Sequence, residues 1–309
     1  MPASSLTSPT WTALAAPAAA LGESPFWHPE EQALYWVDIP AATVHRWLAA
    51  SGQHRQWSLP AEVGCIAPWP GVGLVAALRD GWYRLDTITG HHQRLLDAPY
   101  DPSDTRFNDG RCDSAGRFWA GTLYEPKTAE HGALYHLSRN AQGNWTHTRA
   151  AQGNITANGL AFSPDGRLAY WAHTAAHRVD VFDCNPTTGE LSGRRVFHQF
   201  APRTAGQPYG GRPDGACVDS RGHYWVAMYE GAAVVELSPE GQLLQRMAVP
   251  VSCPTMPCIG GSDGHTLYLT TARKGRPAEE LAAQPLAGRV LSLRLPSAVQ
   301  GLPVAVFKG

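Results

Sequence analysis

The chain repeats itself, and no other feature of its 309 residues restricts the fold as strongly. The segment ESPFWHPEEQALYWVD, Glu23 to Asp38, lies without a gap over NGLAFSPDGRLAYWAH, Asn158 to His173. Pro29 falls on Pro164, and Tyr35-Trp36 on Tyr170-Trp171. DGRCDSAGRFWAGT from Asp109, DGACVDSRGHYWVAM from Asp214 and MPCIGGSDGHTLYLTT from Met256 fit the same template with small shifts in the turn, and a weaker copy, VGCIAPWPGVGLVAAL, starts at Val63. Each copy is an apolar strand, a turn built on Pro, Asp or Gly, and a second strand, aromatic in most copies; a third strand such as TVHRW, GALYHLS or RVDVFD follows.

Five steps from Glu23 to Met256 give about 47 residues per unit, close to the period of about 40 to 50 that marks a four-stranded propeller blade. The expectation is an all-β, six-bladed β-propeller with four-stranded antiparallel blades. It is one domain over residues 1–309, closed by strands from the two chain ends, with residues 1–15 as a flexible N-terminal extension. A charged fraction of only 17%, beside 31 Gly and 25 Pro, suits short strands and tight turns better than long surface helices.

The formal net charge is −1 and no stretch concentrates Lys or Arg, which argues against nucleic acid and anionic membrane as partners. No apolar run reaches the length of a membrane span, and the alanine-rich N-terminus lacks a basic leader and is broken by Pro17. Six cysteines lie scattered without a CxxC pair, as expected of free buried thiols in a reducing compartment; Cys253 and Cys258 are the one pair close enough to bridge. The reading is a cytoplasmic protein acting on a small molecule, with no obligatory protein partner.

In the aligned repeat, Glu23, Asp109, Asn158 and Asp214 share one slot ahead of the first strand of their units, and Met256 takes it in the last. The first strand of a propeller blade is innermost, so equivalent slots ring the central channel. Carboxylate and amide oxygens gathered there repel one another unless a cation or ordered water sits among them, and oxygen-only donors suit Ca²⁺, Mg²⁺ or Mn²⁺, with Zn²⁺ also able to accept carboxylates. The competing reading is turn chemistry, because Asn158-Gly159, Asp109-Gly110 and Asp214-Gly215 are also common turn dipeptides.

At these residues the sequence resembles the gluconolactonase family that includes the senescence marker protein regucalcin and luciferin-regenerating enzyme. The likeness runs from LGESPFWHPEEQALYWVDI through RFNDGRCDSAGRFWAGT, ANGLAFSPDGRLAYW and RPDGACVDSRGHYWVA to LYLTTAR. It implies a six-bladed propeller that hydrolyses sugar-acid lactones with one divalent cation. It also implies that Glu23, Asn158 and Asp214 bind the metal and that Arg106 and Asn108 of RFND contact the substrate. The alternative for that last pair is structural: Arg106 as a surface cation, Asn108 as a turn cap. Two departures stand out: His173 replaces the family's Asp, and Tyr124-Glu125-Pro126-Lys127 matches the family poorly.

Lactone hydrolysis on this reading needs a polarised carbonyl and an activated water, but no nucleophilic Ser or Cys. Asp214 is the expected general base, with Asp109 in reserve. The alternatives are a phosphotriesterase-like hydrolase on the same fold and metal, and a non-catalytic calcium-binding propeller scaffold.

Overall fold

Tyr35 and Trp36 are neighbours in sequence and both fully buried. Successive side chains of a strand point to opposite faces, so burial of both requires the sheet to be covered on each side. Phe118-Trp119, Tyr170-Trp171 and Tyr224-Trp225 show the same double burial. A ring of radially packed sheets supplies it: Tyr35 packs with Ile66 and Leu74 of the next blade, whereas Trp36 packs with Tyr268 of the preceding one. Trp119 and Trp171 share one inter-blade core, and Tyr170 and Tyr224 the next.

The computed structural model describes residues 9–309. They form six four-stranded antiparallel sheets, the propeller expected from the repeat. The innermost strands of blades one to six are Gly22–His28, Val63–Trp69, Thr105–Cys112, Ala157–Phe162, Arg212–Val218 and Pro254–Gly260. The third and fourth units are longer than the others, partly because their outermost strands, Trp145–Asn154 and Leu191–Gln199, run on. Thr12–Ala13 supplies the outermost strand of blade six, with Thr12 opposite Ser292, so the two ends of the chain close the ring. That pairing lies within the segment expected to be a flexible extension, of which residues 1–8 fall outside the described residues.

At the other end of the chain, Phe307 is buried against Trp69 and Trp145, and its backbone N–H donates to Pro68 O at 2.8 Å. All six cysteines are free and buried, Cys253 and Cys258 included. No helix among the described residues is long and apolar enough to cross a membrane.

Two of the buried indoles differ in one respect. Trp225 Nε1 donates to Asp219 Oδ2 at 3.0 Å, whereas Trp171 Nε1 has no partner among the described residues. Trp→Phe removes the same volume at both sites, so Trp225→Phe should cost about 0.5–1.5 kcal/mol more than Trp171→Phe, the net contribution of one hydrogen bond to an oxygen that keeps its Arg221 contacts. Urea unfolding midpoints of the two variants measure the difference, and equal midpoints would refute it.

Candidate functional site

Every innermost strand loses register at its start. The ladder shifts between Glu23 and Phe26, Val63 and Cys65, Phe107 and Gly110, Asn158 and Ala161, Pro213 and Ala216, and Pro254 and Met256. A bulge frees residues from the ladder and re-aims them. In four blades it frees two: Ser24-Pro25, Asn108-Asp109, Gly159-Leu160 and Asp214-Gly215.

The ladder corrects the slot read from the repeat. Glu23 and Asn158 occupy the last paired position, where blades three and five have Phe107 and Pro213; Asp214 is the first freed residue of its bulge and Asp109 the second. A gapless alignment counts residues and is blind to which of them leave the ladder. The Asn-Gly and Asp-Gly pairs also prove not to be hairpin turns, for they sit in these innermost strands. Gly159 is required at its bulge: it has φ 55°, and a Cβ there would lie 2.3 Å from the Tyr224 hydroxyl. Ser24 holds the equivalent position in blade one at φ 52°, where its hydroxyl accepts from Ile66 N at 3.0 Å.

A hydrogen-bonded relay joins three blades. Arg106 Nη1 donates to Asn108 Oδ1 at 2.8 Å, Asn108 Nδ2 donates to Asn158 Oδ1 at 2.7 Å, and Asn158 Nδ2 donates to Thr174 Oγ1 at 2.9 Å. Thr174 Oγ1 in turn donates to Pro213 O at 2.8 Å, fixing the backbone that carries Asp214. All five side chains, Asp214 included, are buried, so Arg106 is no surface cation. Thr174 went unnoticed in the sequence because it follows the second strand of its blade, outside the repeated motif. Asp109 is tied down separately, its Oδ2 accepting from Leu160 N at 2.8 Å.

The same channel holds buried carboxyls. Burial and the neighbouring Asp214 and Asp109 charges push Glu23 well above the usual carboxylate range, against the lowering effect of the Ser24 backbone and Arg106. Burial and Asp109 raise Asp214, opposed by Arg212 and Arg106. Glu23 Oε2 and Asp109 Oδ1 are buried with no hydrogen-bond partner among the described residues. Oxygen-only donors, orphaned carboxylate oxygens and mutual repulsion together fit a hard divalent cation held by Glu23, Asn158 and Asp214. The Asn158 carbonyl oxygen accepts from Asn108 and keeps a second lone pair for such an ion.

Among the described residues, Asp219, His223 and Glu236 are the only trio of His, Cys, Asp or Glu side chains whose donor atoms all lie within 4.8 Å of one another. That cluster already has a cation of its own, because Arg221 Nη2 lies 2.5 Å from Asp219 Oδ2 and 2.6 Å from Glu236 Oε1. It is an ion-pair network.

Other sequence features resolve differently. His173 Nδ1 accepts from Ala176 N at 3.3 Å and caps a short 3-10 turn, and its Nε2 lies 3.3 Å from Glu130 Oε1. The residue that departs from the family pattern therefore has a structural role. In the poorly matched Tyr124–Lys127 stretch, Glu125 accepts from Arg79 and approaches Arg106 Nε to 3.8 Å, so it borders the relay. Gly260 to Gly264, GGSDG, has the spacing of a serine nucleophile elbow, yet it forms the hairpin turn after the innermost strand of blade six and exposes Ser262. A cavity of about 820 Å³ lies along the far halves of the innermost strands, lined by Arg111, Cys112, Cys217, Cys258 and the C-terminal segment around Leu302. None of Glu23, Arg106, Asn108, Asn158 and Asp214 lines it.

Residues 21–273 match the model of the SMP-30/gluconolactonase/LRE-like region. A 6-deoxy-6-sulfogluconolactonase of Pseudomonas putida is 40% identical over 290 residues, covering 94% of this chain and 95% of that protein. Regucalcin of Sus scrofa is 35% identical over 294 residues, covering 93% and 95%. The crystal structure of a calcium-binding regucalcin from Agrobacterium tumefaciens superposes with a TM-score of 0.88 at 27% identity, over 98% of this chain and all of that one.

The raised carboxyls set a stability prediction. A folded carboxyl whose pKa exceeds its unfolded value binds a proton that the unfolded chain has released, so its stabilisation is complete at low pH and is lost as pH rises. Asp214 is raised from the ordinary 3.8 to about 8. The chelator-treated protein should therefore melt at progressively lower temperature from about pH 4 to about pH 8, and the rise in melting temperature on adding a divalent cation should grow over the same interval. Asp214→Asn should flatten both trends. Thermal unfolding with EDTA against Ca²⁺, Mg²⁺, Mn²⁺ and Zn²⁺ tests this; a cation effect independent of pH would contradict it.

Proposed function

Because the chain belongs to the SMP-30/gluconolactonase/LRE-like family, we propose that it is a lactonase that hydrolyses an aldonolactone to the free aldonic acid with one divalent cation. The observation that carries the reading is the meeting of the Arg106–Asn108–Asn158 relay with the buried Glu23 and Asp214 carboxyls. Donors suited to a sugar ring and oxygens suited to a cation thus lie within reach of one another.

Glu23, Asn158 and Asp214 would hold the cation, with Ca²⁺, Mg²⁺, Mn²⁺ and Zn²⁺ all compatible with the donors. When bound it supplies Lewis-acid polarisation and offsets the carboxylate charge. The remaining work falls to the chain. Arg106, buried and stripped of water, presents a fixed fork of donors to the lactone oxygens, and its bond to Asn108 holds that amide in one orientation. Asp214 accepts a proton as the oxygen of water bonds to the carbonyl carbon. The ring C–O bond then breaks, and the ring oxygen leaves with that proton as a hydroxyl, so lactone and water balance the hydroxy acid. The P. putida relative's name specifies a sulfonated gluconolactone, which makes a substituted aldonolactone the first candidate within the class. Six free thiols favour a reducing, cytoplasmic setting.

A panel of aldonolactones assayed by acid release, with and without EDTA, tests the reading. Activity should vanish on chelation and return with one equivalent of divalent ion. Asp214→Asn should lower kcat about 10²- to 10⁴-fold, whereas Arg106→Met should act mainly on KM. Chelator-resistant lactone turnover would overturn the metal-dependent mechanism. Cation binding without turnover of any lactone would favour the scaffold reading, and turnover of organophosphate triesters alone the phosphotriesterase reading.

A further inference from the structure

Three arginines converge on one carboxylate beside the proposed site. Arg203 Nη2, Arg212 Nη2 and Arg276 Nη1 lie 3.2, 3.4 and 3.0 Å from the Glu230 oxygens. Arg276 also grips Glu280 at 2.6 Å. Three guanidinium groups thus face two carboxylates, leaving an excess of positive charge. His177, Tyr209 and Tyr229 complete the surroundings.

The arrangement is positioned. The Arg203 guanidinium packs over the Tyr209 ring at 4.2 Å and Arg212 over the Tyr229 ring at 5.3 Å. Tyr209 is pinned by a 2.7 Å hydrogen bond between its hydroxyl and His177 Nε2. The Arg212 Nε–H is buried and has no acceptor among the described residues. Arg212 is also two residues from Asp214, in the last paired stretch before the bulge. Closing the connection between Gln199 and Arg212 would need only one ion pair, and exposed pairs contribute little to stability. Crowding three like charges around Glu230 is better explained by an anion that neutralises them.

We propose that Arg203, Arg212 and Arg276 form a subsite for a tetrahedral oxyanion, a sulfonate or phosphate, carried by the substrate at the end remote from its lactone carbonyl. Guanidinium groups suit such an anion because their paired N–H groups match two of its oxygens. The proposal rests on the lactonase reading and adds a specificity determinant to it.

The test compares kcat/KM of the cation-loaded full chain for glucono-lactone and for the same lactone carrying phosphate or sulfonate at C6. The wild type should prefer at least one anionic lactone, and the preference should shrink as ionic strength rises. Arg203→Ala and Arg212→Gln should each lower the ratio of anionic to neutral kcat/KM about 10-fold, through KM, as expected for loss of one charge-assisted contact. Glu230→Gln should raise it. The phosphate and sulfonate arms show which anion the site takes. If glucono-lactone is hydrolysed but the ratio stays near one and the variants leave it unmoved, the subsite is refuted while the lactonase reading stands. If no lactone is turned over, the lactonase reading fails. The subsite is then read from the melting-temperature rise given by the C6-phosphorylated or sulfonated aldonate over plain gluconate: a rise lost in Arg203→Ala supports it, and equal rises refute it.

Discussion

Glu23 and Asp214 are buried near each other's charge in the innermost strands of a closed ring, and this repulsion is the constraint around which the site is organised. An open sheet or a flexible loop would relax by swinging one carboxylate into water. Here the backbone of each is held in an innermost strand, and neighbouring blades cover both faces of that strand's sheet. The propeller therefore stores an unfavourable arrangement that a cation would relieve, and the free energy of that relief would favour binding at the proposed metal site. The Arg106 charge offsets part of the repulsion meanwhile, which ties that buried arginine electrostatically to the carboxyls.

The relay explains how such a pocket stays rigid. Each amide in it has both its donor and its acceptor engaged, so Asn108 and Asn158 cannot rotate without stranding a buried partner. Because the chain passes from blade three through blade four to the Pro213 carbonyl of blade five, the setting of Asp214 depends on blades distant in sequence. Substitution of Thr174, which touches no carboxylate in the pocket, would loosen that backbone, and effects at a distance of this kind are expected of a site assembled by a ring.

Much of the ring was legible in the sequence because double-faced burial writes itself as adjacent aromatics, Tyr35-Trp36 and Tyr170-Trp171, at a fixed period. Outermost strands left a weaker trace. Leu243–Ala248 is largely exposed and His54–Ser58 buries only Trp57, so neither shows an apolar run, and Thr12–Ala13 is two residues long. The candidate site was legible as residue types and blurred as geometry. Arg106, Asn108 and Asn158 are hydrogen-bonded in series, and Glu23 and Asp214 lie within reach of each other's charge, but the bulges that aim them have no common sequence signature, and Asp109 is held by blade four. Arg203, Glu230 and Arg276 could not have been found by period, for they lie in connections between strands, whose length and residues vary from blade to blade.

That division between strand and connection has a consequence for how sites of this kind diverge. The buried carboxyl positions are locked by packing: a Cβ on Gly215, directly after Asp214, would sit 2.4 Å from Met256 Cβ, so the bulge that presents Asp214 cannot be redesigned without shifting blade six. Arg203 lies on a segment whose neighbours are exposed and whose length no blade contact fixes. Substitution there changes the charge offered to the far end of a substrate while leaving the carboxylates and the relay in place. A family built on this ring can thus hold its chemistry constant and vary its substrates through the connections, and the arginines around Glu230 are where this chain carries a charge pattern that its repeated blades do not dictate.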